Sequence, residues 1–267
     1  MNNVHILFIG AGRMAEAIFS GILTHQPEIM ITVSNQSNSA HLDLLQSNYP
    51  IQTTSSWTEV IDQVDVILLA CPPGAHSEVL QKMSLLLKKG QLVVTVAAGI
   101  GPSKLEAALP KGTPVAWLMP NTAADVGKSM SIYAYGSAIT DTHRNIFEKV
   151  VSAIGPSEEL SEEQVHNLTA VTGSAPAFLY SFVEALEQTA TKYGLTAEQA
   201  RKLVIEMVIG SAAMLAKHRD PAKLREQVTS PGGATAAGLT SLANDQFSDS
   251  IIRAIHATNA RAKELGS

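Results

Sequence analysis

Cys71 is the sole cysteine among 267 residues, so no disulfide can form within the chain. A reducing compartment, the cytoplasm, is the expected home. No apolar run reaches the roughly 18 residues that a membrane helix needs. The longest candidate, 203–216, is too short and carries Glu206. The opening Met1-Asn2-Asn3-Val4-His5 lacks the basic stretch and apolar length of a secretory leader, and none is expected. A formal charge of −5, with Lys and Arg scattered, leaves no basic stripe for nucleic acid. The eight histidines show no close pairing, which argues against a metal site. What remains is 45% hydrophobic content over a length that suits one large domain or two moderate ones.

The first half alternates apolar strands with helices. Residues 4–9 read as a buried strand, followed at once by Gly10-Ala11-Gly12-Arg13-Met14-Ala15 and a helical run to 23. This is G-x-G-x-x-A between strand and helix, the context that makes it a dinucleotide fingerprint. Gly10 permits the tight turn, Gly12 lets a pyrophosphate approach the backbone, and Ala15 lets the helix lie close on its strand. A second strand, 29–33, ends in Ser34-Asn35-Gln36-Ser37. An NAD site usually places an acid there for the ribose 2′-hydroxyl. Its absence favours NADP, with NAD the alternative and a plain Asn/Ser turn the bland reading.

Further elements follow: helix 39–47, strand 51–53, helix 57–63, strand 65–70, a helix to Lys89 closed by Gly90, strand 92–97, helix 102–108 and strand 114–119. The pattern predicts a doubly wound parallel sheet. Ligands in such sheets bind beyond the strand carboxyl ends. The cofactor positions expected there are Gly10 to Met14, Ser34, Asn35, Ala70, Cys71, Pro72, Ala97, Ala98, Gly99 and Asn121. Cys71 reads as a small loop residue rather than a nucleophile. Asn121 either holds a turn or places nicotinamide or substrate. An outer strand at 131–135 and a helix at 141–153 complete this region.

From Ser161 onward no strand is evident. Ser161-Glu-Glu-Gln164 and Thr196-Ala-Glu-Gln199 both read as capping boxes. Helices are expected at 162–171, 175–193, 197–218, 221–228, 234–243 and 247–264, with Asp220-Pro221 a helix start. The run 203–216 is apolar on nearly every face, so it must be covered all round. A second subunit would do that; the other reading is the centre of one compact bundle. The expected division is a Rossmann-like domain at 1–158 and an all-helical domain at 159–267.

Val228-Thr229-Ser230-Pro231-Gly232-Gly233-Ala234-Thr235 leads into one of those helices. Pro231 bars Ser230 from helical backbone. Gly232 and Gly233 would leave bare N–H groups at a helix end, which suits a carboxylate or phosphate. Ser230 and Thr235 add hydroxyls. The bland reading is a well-capped turn.

Residues 224–239, together with the segments at 9–17, 97–100, 119–122 and 172–177, resemble the pyrroline-5-carboxylate reductase family over nearly the whole chain. The resemblance implies an N-terminal cofactor domain, a C-terminal helical domain and subunits joined through those helices. It also implies NAD(P)H-dependent reduction of a cyclic imine to L-proline, with the active site completed at a dimer interface. The substrate carboxylate would be held by Ser230, Gly232, Gly233, Ala234 and Thr235, and Thr235 would bond the ring nitrogen as the catalytic group. A protonated imine is already electrophilic, so orientation supplies most of the rate and no His/Asp pair is required. The chain departs from the family at Pro72, where lysine is usual, near Trp117 (arginine), at Ala123 (proline), at Ala175 (glycine) and at Gln36, a place often held by arginine. Two rivals stand beside this reading. One is an NADP-dependent reductase of 3-hydroxyacids or acyclic imines, which generally offers a helical-domain lysine; none lies between Val150 and Thr191. The other is a non-enzymatic paralogue.

Overall fold

The computed structural model describes residues 3–266. Met1, Asn2 and Ser267, the outer ends of the two expected domains, lie outside them. Two compact units emerge, residues 1–174 with 258–267, and residues 175–257. The sheet-bearing unit thus extends past residue 158.

In that unit the strands are β1 (His5–Ile9), β2 (Met30–Ser34), β3 (Gln52–Thr54), β4 (Val66–Leu69), β5 (Leu92–Thr95), β6 (Val115–Met119), β7 (Ser131–Tyr135) and β8 (Ser157–Glu159). They form one sheet in the order β3-β2-β1-β4-β5-β6-β7-β8. Pairing is parallel except for β7, which runs antiparallel to β6. The order reverses between β1 and β4, the crevice where such sheets bind ligands. Alternate side chains of β1 go to opposite faces. Ile6 and Phe8 join Ile18, Phe19 and Ile22 of α1 (Arg13–His25), whereas Leu7 and Ile9 join Ile67, Leu80 and Leu105. Both faces are buried, which explains why β4, and β1 after His5, are apolar.

Three local expectations change. The expected helix at 57–63 is two short 3-10 turns, Trp57–Glu59 and Ile61–Gln63. The helix expected to run to Lys89 is α3 (His76–Met83), after α2 (Ser39–Asn48). Buried Gln91 joins the segments at the ends of both. Its side-chain amide donates to the carbonyls of Ile61 (2.6 Å) and Val64 (2.7 Å), and its oxygen accepts from the Lys88 N–H (2.7 Å). Gly90, at φ +91°, serves this turn rather than capping α3. Third, β8 lies beyond β7, so β7 is not the edge. β8 is Ser-Glu-Glu, a short polar edge that gives no apolar alternation to read.

After α4 (Pro102–Ala108) and α5 (Asp141–Ser152) comes α6 (Glu162–Thr169), which belongs with the sheet. Its Val165 is buried among Trp117, Met119, Ile132 and Ala134. The Glu162 carboxylate accepts from the Ser103 N–H (3.2 Å) in the first turn of α4. Instead of ending at 171, the helical path passes through a π-helical turn, Ala170–Ser174. There the Asn121 amide donates to the Thr172 carbonyl at 3.0 Å.

The second unit contains α7 (Ala175–Lys192), α8 (Ala197–His218), α9 (Pro221–Gln227), α10 (Ala234–Asn244) and the first part of α11 (Phe247–Gly266). Both capping boxes form as expected, and the Asp220 carboxylate accepts from the Lys223 N–H. α8 is not the centre of a bundle. Only Ala200 and Val204 are buried along it; Ile205, Met207, Ile209 and Met214 are exposed in the single chain. Within this unit α7, α9, α10 and the first part of α11 leave those apolar residues uncovered.

Candidate active site

A groove of about 820 Å³ opens beyond the carboxyl ends of β1, β2, β4, β5 and β6. Gly10 adopts φ +114°, and a Cβ there would meet the Ala70 carbonyl at 2.6 Å. Both facts demand glycine. Its N–H donates to the Ser34 carbonyl (2.9 Å), so the turn after β1 is laced to the end of β2. Gly12 caps α1 with extended backbone and no side-chain cap bond. A Cβ on Gly12 would meet nothing within 4 Å, so the space above the bare N–H groups is open. Such an end attracts phosphate through its unpaired donors and dipole. The groove therefore fits the pyrophosphate of a dinucleotide.

Of the expected cofactor positions, Gly10, Ala11, Gly12, Met14, Ser34, Asn35, Ala70, Cys71, Pro72, Ala97 and Ala98 all line this groove. Arg13, Gly99 and Asn121 do not. Arg13 is turned to solvent, where it pairs with Asp125 at 3.5 Å. Gly99 makes a positive-φ turn. Asn121 is held at both ends: its amide donates to Thr172, and its oxygen accepts from the Ala123 N–H at 2.9 Å. The groove also takes in Gln36, Ser37, Trp57, Ala75, Val79 and Met119, which were not named as site residues. For Gln36 and Ser37 the acid-free turn was the available signal. Trp57 carried none.

The ribose end is the turn after β2. Asn35 accepts through Oδ1 from both the N–H and the hydroxyl of Ser37, each at 3.1 Å. No carboxylate faces the groove there. Burial pushes the Cys71 thiol above its ordinary pKa, so it is no ready nucleophile. Among the described residues, no three His, Cys, Asp or Glu side chains converge as a metal set would, and no helix is long and apolar enough to cross a membrane.

In the second unit, the Ser230-Pro231-Gly232-Gly233 sequence forms a type II turn. Pro231 supplies the first corner, Gly232 takes φ +73°, and the Gly233 N–H donates to the Ser230 carbonyl at 3.0 Å. Gly233 then caps α10, again with no side-chain cap bond. A side chain at Gly233 would collide with the Ser230 hydroxyl, 2.5 Å from the Cβ position. The Ser230 and Thr235 hydroxyls do not cap this helix. Both residues are exposed in the single chain, beside free N–H groups.

Comparison with known proteins bears on both regions. Residues 5–99 match a family model described as NADP oxidoreductase, coenzyme F420-dependent. Residues 162–265 match one described as pyrroline-5-carboxylate reductase dimerisation. The chain is 33% identical to pyrroline-5-carboxylate reductase 1 of Bacillus spizizenii, over 97% of this chain and 89% of that one. It belongs to the pyrroline-5-carboxylate reductase family. The Vibrio alginolyticus member is also 33% identical, over 99% of this chain and 98% of its own. Among solved structures, the Plasmodium falciparum pyrroline carboxylate reductase with NADP bound aligns over 100% of both chains, at a TM-score of 0.89 and 28% identity. The Streptococcus pyogenes enzyme aligns over 99% of this chain and 100% of its own, at 0.90 and 28%. Membership makes the chain an oxidoreductase with a Rossmann-like region and an assembly region in its helices.

The acid-free turn after β2 predicts higher kcat/KM with NADPH than with NADH. Steady-state rates with both cofactors check this; equal or better rates with NADH contradict the reading of Ser34 to Ser37.

Proposed function

We propose that the chain reduces 1-pyrroline-5-carboxylate to L-proline with NADPH. The observation that carries this is the intact Ser230–Thr235 turn, ending in a helix whose N-terminus no side chain caps. When bound, NADPH supplies the hydride. The residues of this chain do the rest. The bare end of α1 would hold the pyrophosphate, and the turn after β2 would hold the 2′-phosphate through amide and hydroxyl donors. The free N–H groups of Ala234 and Thr235, with the Ser230 hydroxyl, take the substrate carboxylate at the end of α10, the Gly233 N–H being spent within the turn. The Thr235 hydroxyl bonds the ring nitrogen and orients it. Since the protonated ring is already electrophilic, positioning is the main catalytic task.

The functional division is cofactor binding by 1–158, and substrate binding and assembly by 159–267. The assembly is a homodimer. α8 supports it, because Leu203, Ile205, Met207 and Ile209 stand exposed along an apolar run, and Gly210 would let a second helix approach closely. A wild-type chain that oxidises NADPH only when pyrroline-5-carboxylate is present, and yields proline, fulfils the reading. Failure to do so, with NADPH bound, removes it.

Thr235→Val removes one bond to a charged group, worth roughly 1.5–3 kcal/mol, so kcat should fall by about 10- to 150-fold while the melting temperature and NADPH binding hold. Ser230→Ala should chiefly raise KM for the imine. A Thr235→Val enzyme that melts early yet turns over normally contradicts the assignment.

Met207→Glu places an unpaired charge in the interface at a cost of several kcal/mol. Light scattering and activity should report dissociated, aggregating or inactive protein. A soluble and fully active monomer would contradict the dimer.

A further inference from the structure

His76 is a buried titratable side chain that no step above uses. It opens α3 and is 2% exposed. Around it stand Cys71, Pro72 and Ala75, all part of the groove wall. Its Nδ1 lies 3.2 Å from the Pro72 carbonyl and 3.7 Å from Cys71 Sγ, and its Nε2 lies 2.9 Å from Thr95 Oγ1. A carbonyl can only accept, so Nδ1 carries the proton and Nε2 keeps the lone pair. The Thr95 hydroxyl therefore donates to Nε2. Its oxygen in turn accepts from the Ala97 N–H at 3.1 Å. One neutral imidazole thus ties the loop after β4 to the loop after β5. Burial holds its pKa below the ordinary histidine value, and the side chains facing it, Cys71 and Thr95, bring no charge.

In a sheet of this order the pyrophosphate lies at the turn after β1 and the adenosine ribose beside the end of β2. The nicotinamide then falls on the other side, past β4 and β5. We propose that His76 is a positioning residue for hydride transfer: through Pro72 and Thr95 it sets the spacing of the two loops that flank the nicotinamide. This rests on the reading of the reaction given above. The tie acts at the ring end alone, because Gly12 and the turn after β2 are held by other contacts. Loosening it costs orientation and leaves the grip on the adenosine half intact.

His76→Leu and Thr95→Val each cut the tie, whereas Thr95→Ser keeps it. Four quantities are measured: kcat, NADPH binding, affinity for 2′-phospho-ADP-ribose (which lacks the ring) and the fluorescence of the bound dihydronicotinamide. Both cutting variants should lower kcat by about 10- to 100-fold and change the ring fluorescence, with 2′-phospho-ADP-ribose affinity unchanged. The double variant should be no worse than the poorer single one, since both remove the same connection. Thr95→Ser should restore every quantity. Should His76→Leu fail to fold, Thr95→Val carries the test, because it exchanges a hydroxyl for a methyl of similar size. Variants that melt earlier but keep wild-type kcat and ring fluorescence overturn the proposal. So does a parallel loss of 2′-phospho-ADP-ribose affinity. A wild-type chain that binds NADPH without reducing the imine sinks the reaction instead, and the fluorescence comparison still decides the role of His76.

Discussion

The approach of Gly10 to the Ala70 peptide is the constraint on which the cofactor region depends. A Cβ at that point would stand 2.6 Å from the Ala70 carbonyl carbon. Because no Cβ is there, β1 and β4 end side by side and their following segments can part. The groove is the space that this parting leaves. One consequence is that α1 begins directly above the turn with its N–H groups unspent. Another is that the loop after β4 falls within reach of His76. A larger residue at position 10 would push these elements apart at the crevice where the strand order reverses.

The two anion sites proposed for this chain rely on backbone more than on cations. The two helix ends at Gly12 and Gly233 share one design: extended glycine, no side-chain cap, and free donors in the first turn. One suits a pyrophosphate and the other a carboxylate. Pro72 and Gln36 bring no cation to the groove, and Arg13 is turned to solvent and paired with Asp125. Backbone donors are fixed by the fold, so they lose no side-chain entropy on binding. They also leave the imine's own charge as the electrophile, which matches a reaction that needs orientation more than acid–base chemistry.

Features written in neighbouring residues were legible from sequence. The G-x-G-x-x-A turn, both capping boxes, the Asp220-Pro221 start and the Ser-Pro-Gly-Gly turn depend on residues close together in the chain, and the buried parallel strands declare themselves as short apolar runs. The misses share the opposite cause. Where two expected helical stretches do not form in full, Gln91 takes the carbonyls of Ile61 and Val64 and the N–H of Lys88. Of the two roles weighed for Asn121, the structure shows the turn-holding one, through Thr172 and Ala123. Val165 draws α6 onto the sheet, so the compact unit runs beyond 158. His76 and Trp57 entered the groove region through partners that no spacing rule connects. The exposed flank of α8 was legible, because an all-round apolar helix declares its need for cover in sequence alone.

A co-crystal structure with NADP and L-proline tests the central claim most directly, namely that two bare helix ends hold the two anions. Pyrophosphate oxygens should lie on the first-turn N–H groups of α1, and the proline carboxylate on those of Ala234 and Thr235. A carboxylate held instead by a lysine or arginine side chain, with the α10 end left to water, would contradict it.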